Sequence, residues 1–164
     1  MDRIFLFLAL CLFQLSQLSA AFAASGAVDV SLQAFRVVGD TKDAGAVTLA
    51  PTTHARPGDT IEYQVTYRNG GNSLARQTRA VLPVPAGGMA YLPGSASPAA
   101  VEASLDGKTF APVPLTREVV RDGKKVRETV PPSEYRFLRW DLGDLPAGAA
   151  ATVKSRMRLD SASR

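Results

Sequence analysis

The chain of 164 residues is poor in the residue types that hold metals and attack substrates. It contains one cysteine, Cys11, and one histidine, His54. Cys11 lies in an N-terminal apolar run that we expect to be removed, so the mature chain would offer no thiol for a disulfide or for catalysis. A structural zinc site with one histidine and no cysteine would need three carboxylates as its other ligands. Stability must therefore come from a hydrophobic core.

Motifs of hydrolytic catalysis are also missing. There is no G-x-S-x-G element, and His54 stands in "TTHARPGD", a predicted loop without an evident serine and acid beside it. Asp141 and Asp144 flank Gly143, and Asp59 follows Gly58. These carboxylates are too few to form a calcium-binding site. We expect them to accept hydrogen bonds from the amides of their own turns. The sequence thus predicts no enzyme and no cofactor.

Long hydrophobic runs are scarce, and the single one lies at residues 4–13. It follows Arg3 and precedes small residues at positions 20, 21, 23 and 24, a pattern typical of a secretory signal peptide. The run is much shorter than the roughly 20 residues of a membrane anchor. We expect residues 1–23 to be the signal peptide and residues 24–164 to be one exported domain, periplasmic or secreted, without a membrane-spanning segment. Nucleic acid is then not an expected partner, and the formal net charge of +4 favours acidic partners only weakly.

What the chain has in abundance is alternation of apolar and polar residues between turn-forming residues. The clearest case is "TIEYQVTYRN", residues 60–69, which predicts a strand with one buried and one solvated face. The face predicted to be buried carries Ile61, Tyr63, Val65 and Tyr67. The face predicted to be solvated carries Glu62, Gln64, Thr66 and Arg68.

Further strands are predicted from similar patterns. A poorer strand covers residues 74–83, and short strands are predicted at residues 89–92 and, within the loop-rich stretch 41–57, at residues 46–49. Asp106-Gly107 and Asp122-Gly123 each follow an alternating stretch, and this dipeptide favours a two-residue hairpin turn. The sequence therefore predicts two hairpins after the first strands.

The C-terminal stretch "RWDLGDLPAGAAATVKSRMRL" indicates how the strands are layered. Leu138, Trp140 and Leu142 share one face before the Gly and Pro corner, and Val153 and Met157 share the core face after it. Two adjacent strands with one apolar face each need a second sheet to cover them. We therefore predict an all-β sandwich with inserted hairpins, pinned by the single tryptophan.

Three stretches resemble, in order, the signature blocks of the bacterial DUF11 repeat domain. They are "RPGDTIEYQVTYRNGGN", "PVPAGGMAYLPGSAS" and "LRWDLGDLPAGAAATVKSRMRL", and the resemblance covers about residues 46–159. It implies an immunoglobulin-like two-sheet antiparallel β-sandwich from surface or envelope proteins, without established catalytic residues. The chain departs from the family in having one copy, long inserted hairpins, and Leu82 where an aspartate is common. That last departure makes a self-formed isopeptide bond less expected.

One surface stands out as a candidate interaction site. If the last two strands are neighbours, their outward residues place cations and aromatic rings together. These residues are Tyr135, Phe137, Arg139, Lys154, Arg156 and Arg158. An inserted hairpin would extend the surface with Arg117, Arg121, Lys124, Lys125 and Arg127.

Two functions follow from this surface, and a plain solvated face is the alternative to both. The first is a non-catalytic module that holds an unknown protein of the cell envelope, through a sheet edge or through this surface. The second is a carbohydrate-binding module for an acidic polysaccharide, which the aromatic content of 7% favours less.

Overall fold

The computed structural model describes residues 28–39 and 47–161. The predicted signal peptide and the start of the predicted mature chain lie outside the described residues. Within the described ranges, no helix is long and apolar enough to cross a membrane.

The described residues form an almost entirely β structure, as predicted. One 3-10 helix, Pro132–Glu134, interrupts the strands. The strands are β1 (Val28–Val38), β2 (Thr48–Pro51), β3 (Thr60–Asn69), β4 (Ala75–Pro83), β5 (Met89–Tyr91), β6 (Glu102–Ser104), β7 (Ala111–Pro112), β8 (Thr116–Arg121), β9 (Lys124–Thr129), β10 (Phe137–Leu145) and β11 (Ala150–Leu159).

All strand pairings are antiparallel and form two sheets and a ribbon. The first sheet has the order β2-β1-β3-β11-β5, and the second sheet has the order β4-β10-β6-β7. β8 and β9 pair only with each other. The chain crosses between the sheets from β3 to β4, from β4 to β5, from β5 to β6 and from β10 to β11. β3 lies beside β11 in the first sheet, and β4 lies beside β10 in the second.

The inner faces of the two sheets share one hydrophobic core, the arrangement of a β-sandwich. Trp140 of β10 is 1% exposed, and its indole Nε1 donates a hydrogen bond of 2.9 Å to the carbonyl of Pro98. Tyr63 and Leu142 pack at the margin of this core and are partly buried. The other residues expected in the core are buried: Leu138, Ile61, Val65, Tyr67, Val153 and Met157.

The predicted strands and turns agree with the structure except at the first hairpin and at the strand predicted for residues 46–49, which is observed at Thr48–Pro51. β3 has the predicted bounds, and Asp122 and Gly123 join β8 to β9 with φ of 51° and 72°, as a two-residue turn requires. β6 and β7 are instead joined by a loop of residues 105–110. The Asp106 carboxylate organises this loop by accepting bonds of 2.8 Å from the amides of Lys108 and Thr109.

β10 contains an irregularity that changes which side chains are buried. Its register against β4 shifts on both sides of Gly143, which has a φ of 64°. Leu145 is buried beyond this bulge, whereas Leu142 is only partly covered. Strict alternation in the sequence could not reveal a bulge, because a bulge inserts one unpaired residue into the count.

Candidate functional site

The surface predicted from the last two strands is divided in the structure. β10 lies in the second sheet and β11 in the first, so their outward side chains lie on opposite faces of the sandwich. Phe137 and Arg139 are on one face, and Lys154, Arg156 and Arg158 are on the other. The prediction of one combined basic and aromatic surface was therefore wrong.

Tyr135 is not a surface residue. It is 1% exposed and its ring stacks on that of Tyr91 with 6.3 Å between centroids. Its hydroxyl accepts a hydrogen bond of 3.0 Å from the amide of Leu115. Because Tyr135 precedes β10 and follows the 3-10 helix, its orientation does not continue the alternation of the strand.

The outward face of the second sheet holds an arginine in a fixed position. Arg139 Nε and Nη2 lie 2.8 and 2.6 Å from Glu102 Oε2, across the pairing of β10 with β6. Its guanidinium carbon lies 4.0 Å from the centroid of the Phe110 ring. The ion pair and the ring together orient the planar guanidinium.

A cavity of about 350 Å³ lies beside this arginine. Its apolar wall consists of Ala100, Val101 and Pro112, and its charged wall of Arg79, Glu102, Arg139 and Asp141. Asp141 Oδ1 accepts a 2.8 Å bond from the Gly143 amide, and the Asp141 backbone lies opposite Arg79 of β4. Arg79 is exposed and makes no ion pair within the described part of the chain.

The cations of β11 have two different roles on the opposite face. Lys154 and Arg158 are exposed. Arg156 instead lies directly opposite Glu62, and its Nε is 2.8 Å from Glu62 Oε2. Gln64 Nε2 donates a further bond of 2.7 Å to Glu62 Oε1.

The burial of Glu62 contradicts the prediction that this face of β3 is solvated. Its side chain is 8% exposed, although it points away from the hydrophobic core. A buried carboxylate requires a cation and hydrogen-bond donors, and Arg156 and Gln64 supply them. The signal in the sequence was the opposite charge of positions 62 and 156, which becomes meaningful only when the register of β3 and β11 is known.

The hairpin of β8 and β9 uses much of its positive charge internally. Arg117 pairs with Glu128 at 2.9 Å and with Glu134 at 2.6 Å, and Arg121 pairs with Glu128 at 2.6 Å. These two guanidinium groups hold the pKa of Glu128 below its usual range by hydrogen bonding. Lys125 lies 3.8 Å from Glu118. Lys124 and Arg127 make no ion pair within the described residues, so the positive charge that the hairpin leaves unpaired lies on these two side chains.

The histidine and the turn carboxylates bond to nearby groups. His54 is exposed, and its Nδ1 lies 2.8 Å from the Thr53 hydroxyl. Asp59 accepts from the amide of Arg56 at 2.9 Å, and Asp144 accepts from the amide of Gln77 at 2.9 Å. In the described part of the chain, no three histidine, cysteine or acidic side chains gather as metal ligands do.

Comparisons of the chain with protein-family models, with curated proteins and with solved structures found no match. The cavity beside Arg139 is the site whose geometry bears most directly on function.

Proposed function

We propose that this protein is an exported, non-catalytic binding module that holds a protein of the cell envelope through the outward face of its second sheet. The observation that carries the proposal is the cavity between Arg79 and Arg139. Its volume of about 350 Å³ falls at the lower end of the size range of ligand pockets.

The composition of the cavity supports binding of a side chain that is apolar at its base and acidic at its tip. Ala100, Val101 and Pro112 offer apolar contact, and the exposed Arg79 offers a cation. Arg139 is held by Glu102 and Phe110, so little conformational freedom is lost when a ligand contacts it. Arginine and aromatic residues are also the side chains enriched at the centres of protein interfaces.

We also propose that the sandwich is immunoglobulin-like and related to the DUF11 repeat domain. Support comes from the antiparallel sheets and from the crossings of the chain between them. Export, with removal of residues 1–23, belongs to the same proposal and rests on the sequence of the N-terminus.

A second candidate function is favoured by the outward face of the first sheet. Thr66 and Thr152 share a hydrogen bond of 2.8 Å there, and Lys154 lies opposite Gln64 in the next row of the same face. Hydroxyl, amide and ammonium groups on a flat sheet suit the hydroxyl and carboxylate groups of an acidic polysaccharide. This alternative places the binding site on the opposite side of the molecule.

A pair of variants separates the two candidates. The first combines Arg79→Ala, Phe137→Ala and Arg139→Ala, and the second combines Lys154→Ala and Arg158→Ala. Retention of each purified protein by isolated cell envelopes is measured, with the emission of Trp140 as the test of folding. We expect the first variant to lose retention and the second to keep it.

Two other outcomes would change the assignment of the binding site. Loss with the second variant alone would favour the polysaccharide site on the first sheet. Full retention of both folded variants would overturn both assignments.

A further inference from the structure

β1 has an edge that no other strand covers in the described residues. β2 pairs with β1 only from Phe35 to Val38, while β3 pairs with β1 from Val28 to Arg36. The Thr52 amide also bonds to the Ala34 carbonyl on the β2 side. Residues 28–33 therefore have a neighbour on one side only, and we call them the free edge of β1.

The backbone of the free edge points outward at alternate residues. The Thr52 amide donates to the Ala34 carbonyl at 3.0 Å, so Ala34 directs its polar groups toward the side of β2. In an antiparallel sheet, the direction of these groups alternates along the strand. Val30 and Leu32 therefore direct their N–H and C=O groups toward the open side.

The side chains of the same two residues are also uncovered. Val30 lies opposite Tyr67 and Leu32 opposite Val65, so both are on the core side of the first sheet. The second sheet does not extend over them, and each is 58% exposed. An edge with unpaired backbone groups and exposed apolar side chains is a template for the addition of a strand.

Among the described residues, the other edges of the two sheets carry protection against strand addition. β2 is four residues long and includes Pro51. β5 and β7 are three and two residues long, and β7 includes Pro112. β4 has exposed arginines and a register irregularity, and its Val81 amide donates to the Tyr67 hydroxyl at 3.1 Å. The free edge of β1 has no lysine, arginine, proline or bulge. The free edge of β1 thus lacks the features that protect the other edges.

We propose that the free edge of β1 pairs with the same edge of a second copy of this chain, in antiparallel orientation about a two-fold axis at Ser31. The pairing joins the two first sheets into one continuous sheet. It goes beyond the proposed binding function, because it uses a different surface.

The edge is complementary to itself in this register. Ser31 lies midway between Val30 and Leu32, whose backbone groups point to the open side, so residues 29–33 of one copy pair with residues 33–29 of the other. Val30 then lies opposite Leu32 of the second copy, and both have outward-pointing backbone groups. The two such pairs form about four backbone hydrogen bonds.

The charges also fit this arrangement. Asp29 is the only ionisable residue in the free edge, and it lies opposite Gln33 of the second copy. No like charges meet across the two-fold axis. Apolar residues meet apolar residues on the core side, and polar residues meet polar residues on the outer side.

Cysteine substitution tests the register directly. Ser31 would face itself in a pair without backbone hydrogen bonds, where the Cα atoms are about 4.5 Å apart, which lies within disulfide range. In a Cys11→Ser background, Ser31→Cys should give a disulfide-linked dimer under mild oxidation. Asp29→Cys and Gln33→Cys should each stay monomeric alone under denaturing conditions, and an equimolar mixture of the two should give the linked heterodimer.

Sedimentation analysis tests the association itself. The unsubstituted protein should sediment as a dimer in a concentration series, and Leu32→Lys should shift it to the monomer. The matched control is Val120→Lys, because Val120 is 69% exposed and receives the same charge in the hairpin of β8 and β9, which pairs with no other strand. Native emission of Trp140 in both variants shows that folding is intact.

The proposal is overturned if the unsubstituted protein is monomeric at all concentrations. It is also overturned if folded Ser31→Cys protein does not crosslink, or if Leu32→Lys remains as dimeric as Val120→Lys. Retention by envelopes plays no part in these measurements, so failure here leaves the proposed binding face of the second sheet untouched.

Discussion

Two buried serines show how a single hydroxyl can lower or raise stability. Ser155 of β11 and Ser104 of β6 are both fully buried. Ser155 Oγ has no hydrogen-bond partner among the described residues. Ser104 Oγ donates to Asp106 Oδ1 at 2.9 Å and accepts from the Gly107 amide at 2.9 Å.

Replacing each serine with alanine should have opposite effects. Ser155→Ala removes an unpaired buried hydroxyl and should raise the free energy of unfolding by about 1 kcal/mol. Ser104→Ala removes the hydrogen bond that the Gly107 amide donates and one of the hydrogen bonds that Asp106 Oδ1 accepts, and should lower it by about 1–3 kcal/mol. Urea unfolding monitored by Trp140 emission measures both values. Equal destabilisation by the two substitutions would contradict the difference in bonding.

At the scale of elements, the loop between β6 and β7 depends on a glycine that touches an aromatic ring. Gly107 has a φ of 75°, and a Cβ added there would lie 2.9 Å from an atom of the Phe137 ring. Gly94 has a similar φ of 79°, with nothing within 4 Å of an added Cβ. Substituting Gly94 tests the cost of the left-handed backbone alone, whereas substituting Gly107 adds the cost of overlap with the Phe137 ring.

Alanine at these two glycines should therefore have unequal effects. Gly94→Ala should cost about 1 kcal/mol because it places a side chain in the left-handed region. Gly107→Ala should cost about 1–3 kcal/mol more, since the ring of Phe137 must also move. Thermal unfolding of both variants measures the difference, and Phe137→Leu should reduce it. An equal loss at the two positions would show that the ring moves away without cost.

Asp106 in the same loop should make the stability of the fold depend on pH. Backbone amides of Thr109 and Lys108, with the Ser104 hydroxyl, lower the pKa of Asp106 to about 2 from 3.8. A lowered pKa in the folded state means that Asp106 stabilises the fold above about pH 4 and loses this effect as the pH falls toward 2. The stability advantage of the unsubstituted protein over Asp106→Asn should therefore shrink across this range. Urea midpoints at several pH values measure it, and a constant difference would contradict the assignment.

At the scale of the whole molecule, one tyrosine links the two sheets through polar contacts. The Tyr67 hydroxyl of β3 accepts from the Val81 amide of β4 at 3.1 Å and donates to the Val81 carbonyl at 3.3 Å. Burial raises the pKa of the Tyr67 hydroxyl above its ordinary value. The contact also satisfies backbone groups at the edge of the second sheet.

Tyr67→Phe should lower the free energy of unfolding by about 1–2 kcal/mol, because it leaves the Val81 backbone without this partner. Tyr63→Phe is the matched control on the same strand, since Tyr63 is only partly buried. Urea unfolding measures the free energy of unfolding of both variants. An unchanged dependence of this free energy on urea concentration shows that unfolding remains cooperative. A loss at Tyr63 as large as that at Tyr67 would contradict a link between the sheets.

The grouping of residues in the candidate site could not be predicted from the sequence. Alternation placed Arg139 outward on β10 and Lys154 outward on β11, and each side chain does point outward. Their grouping failed because β10 and β11 are consecutive in the chain but lie in different sheets. The cavity beside Arg139 joins residues of β4, β6, β7 and β10, which no local pattern brings together.

The sequence by itself determined the β class, most of the strands and the inward side chains of β3 and β11, because a two-residue period is a local property of the chain. Only the tertiary structure decided which strands pair, that Glu62 is buried beneath Arg156, and that Tyr135 belongs to the core. The physical reason is that sheet membership and register depend on contacts between residues far apart in the chain, and the alternation of one strand is compatible with many neighbours.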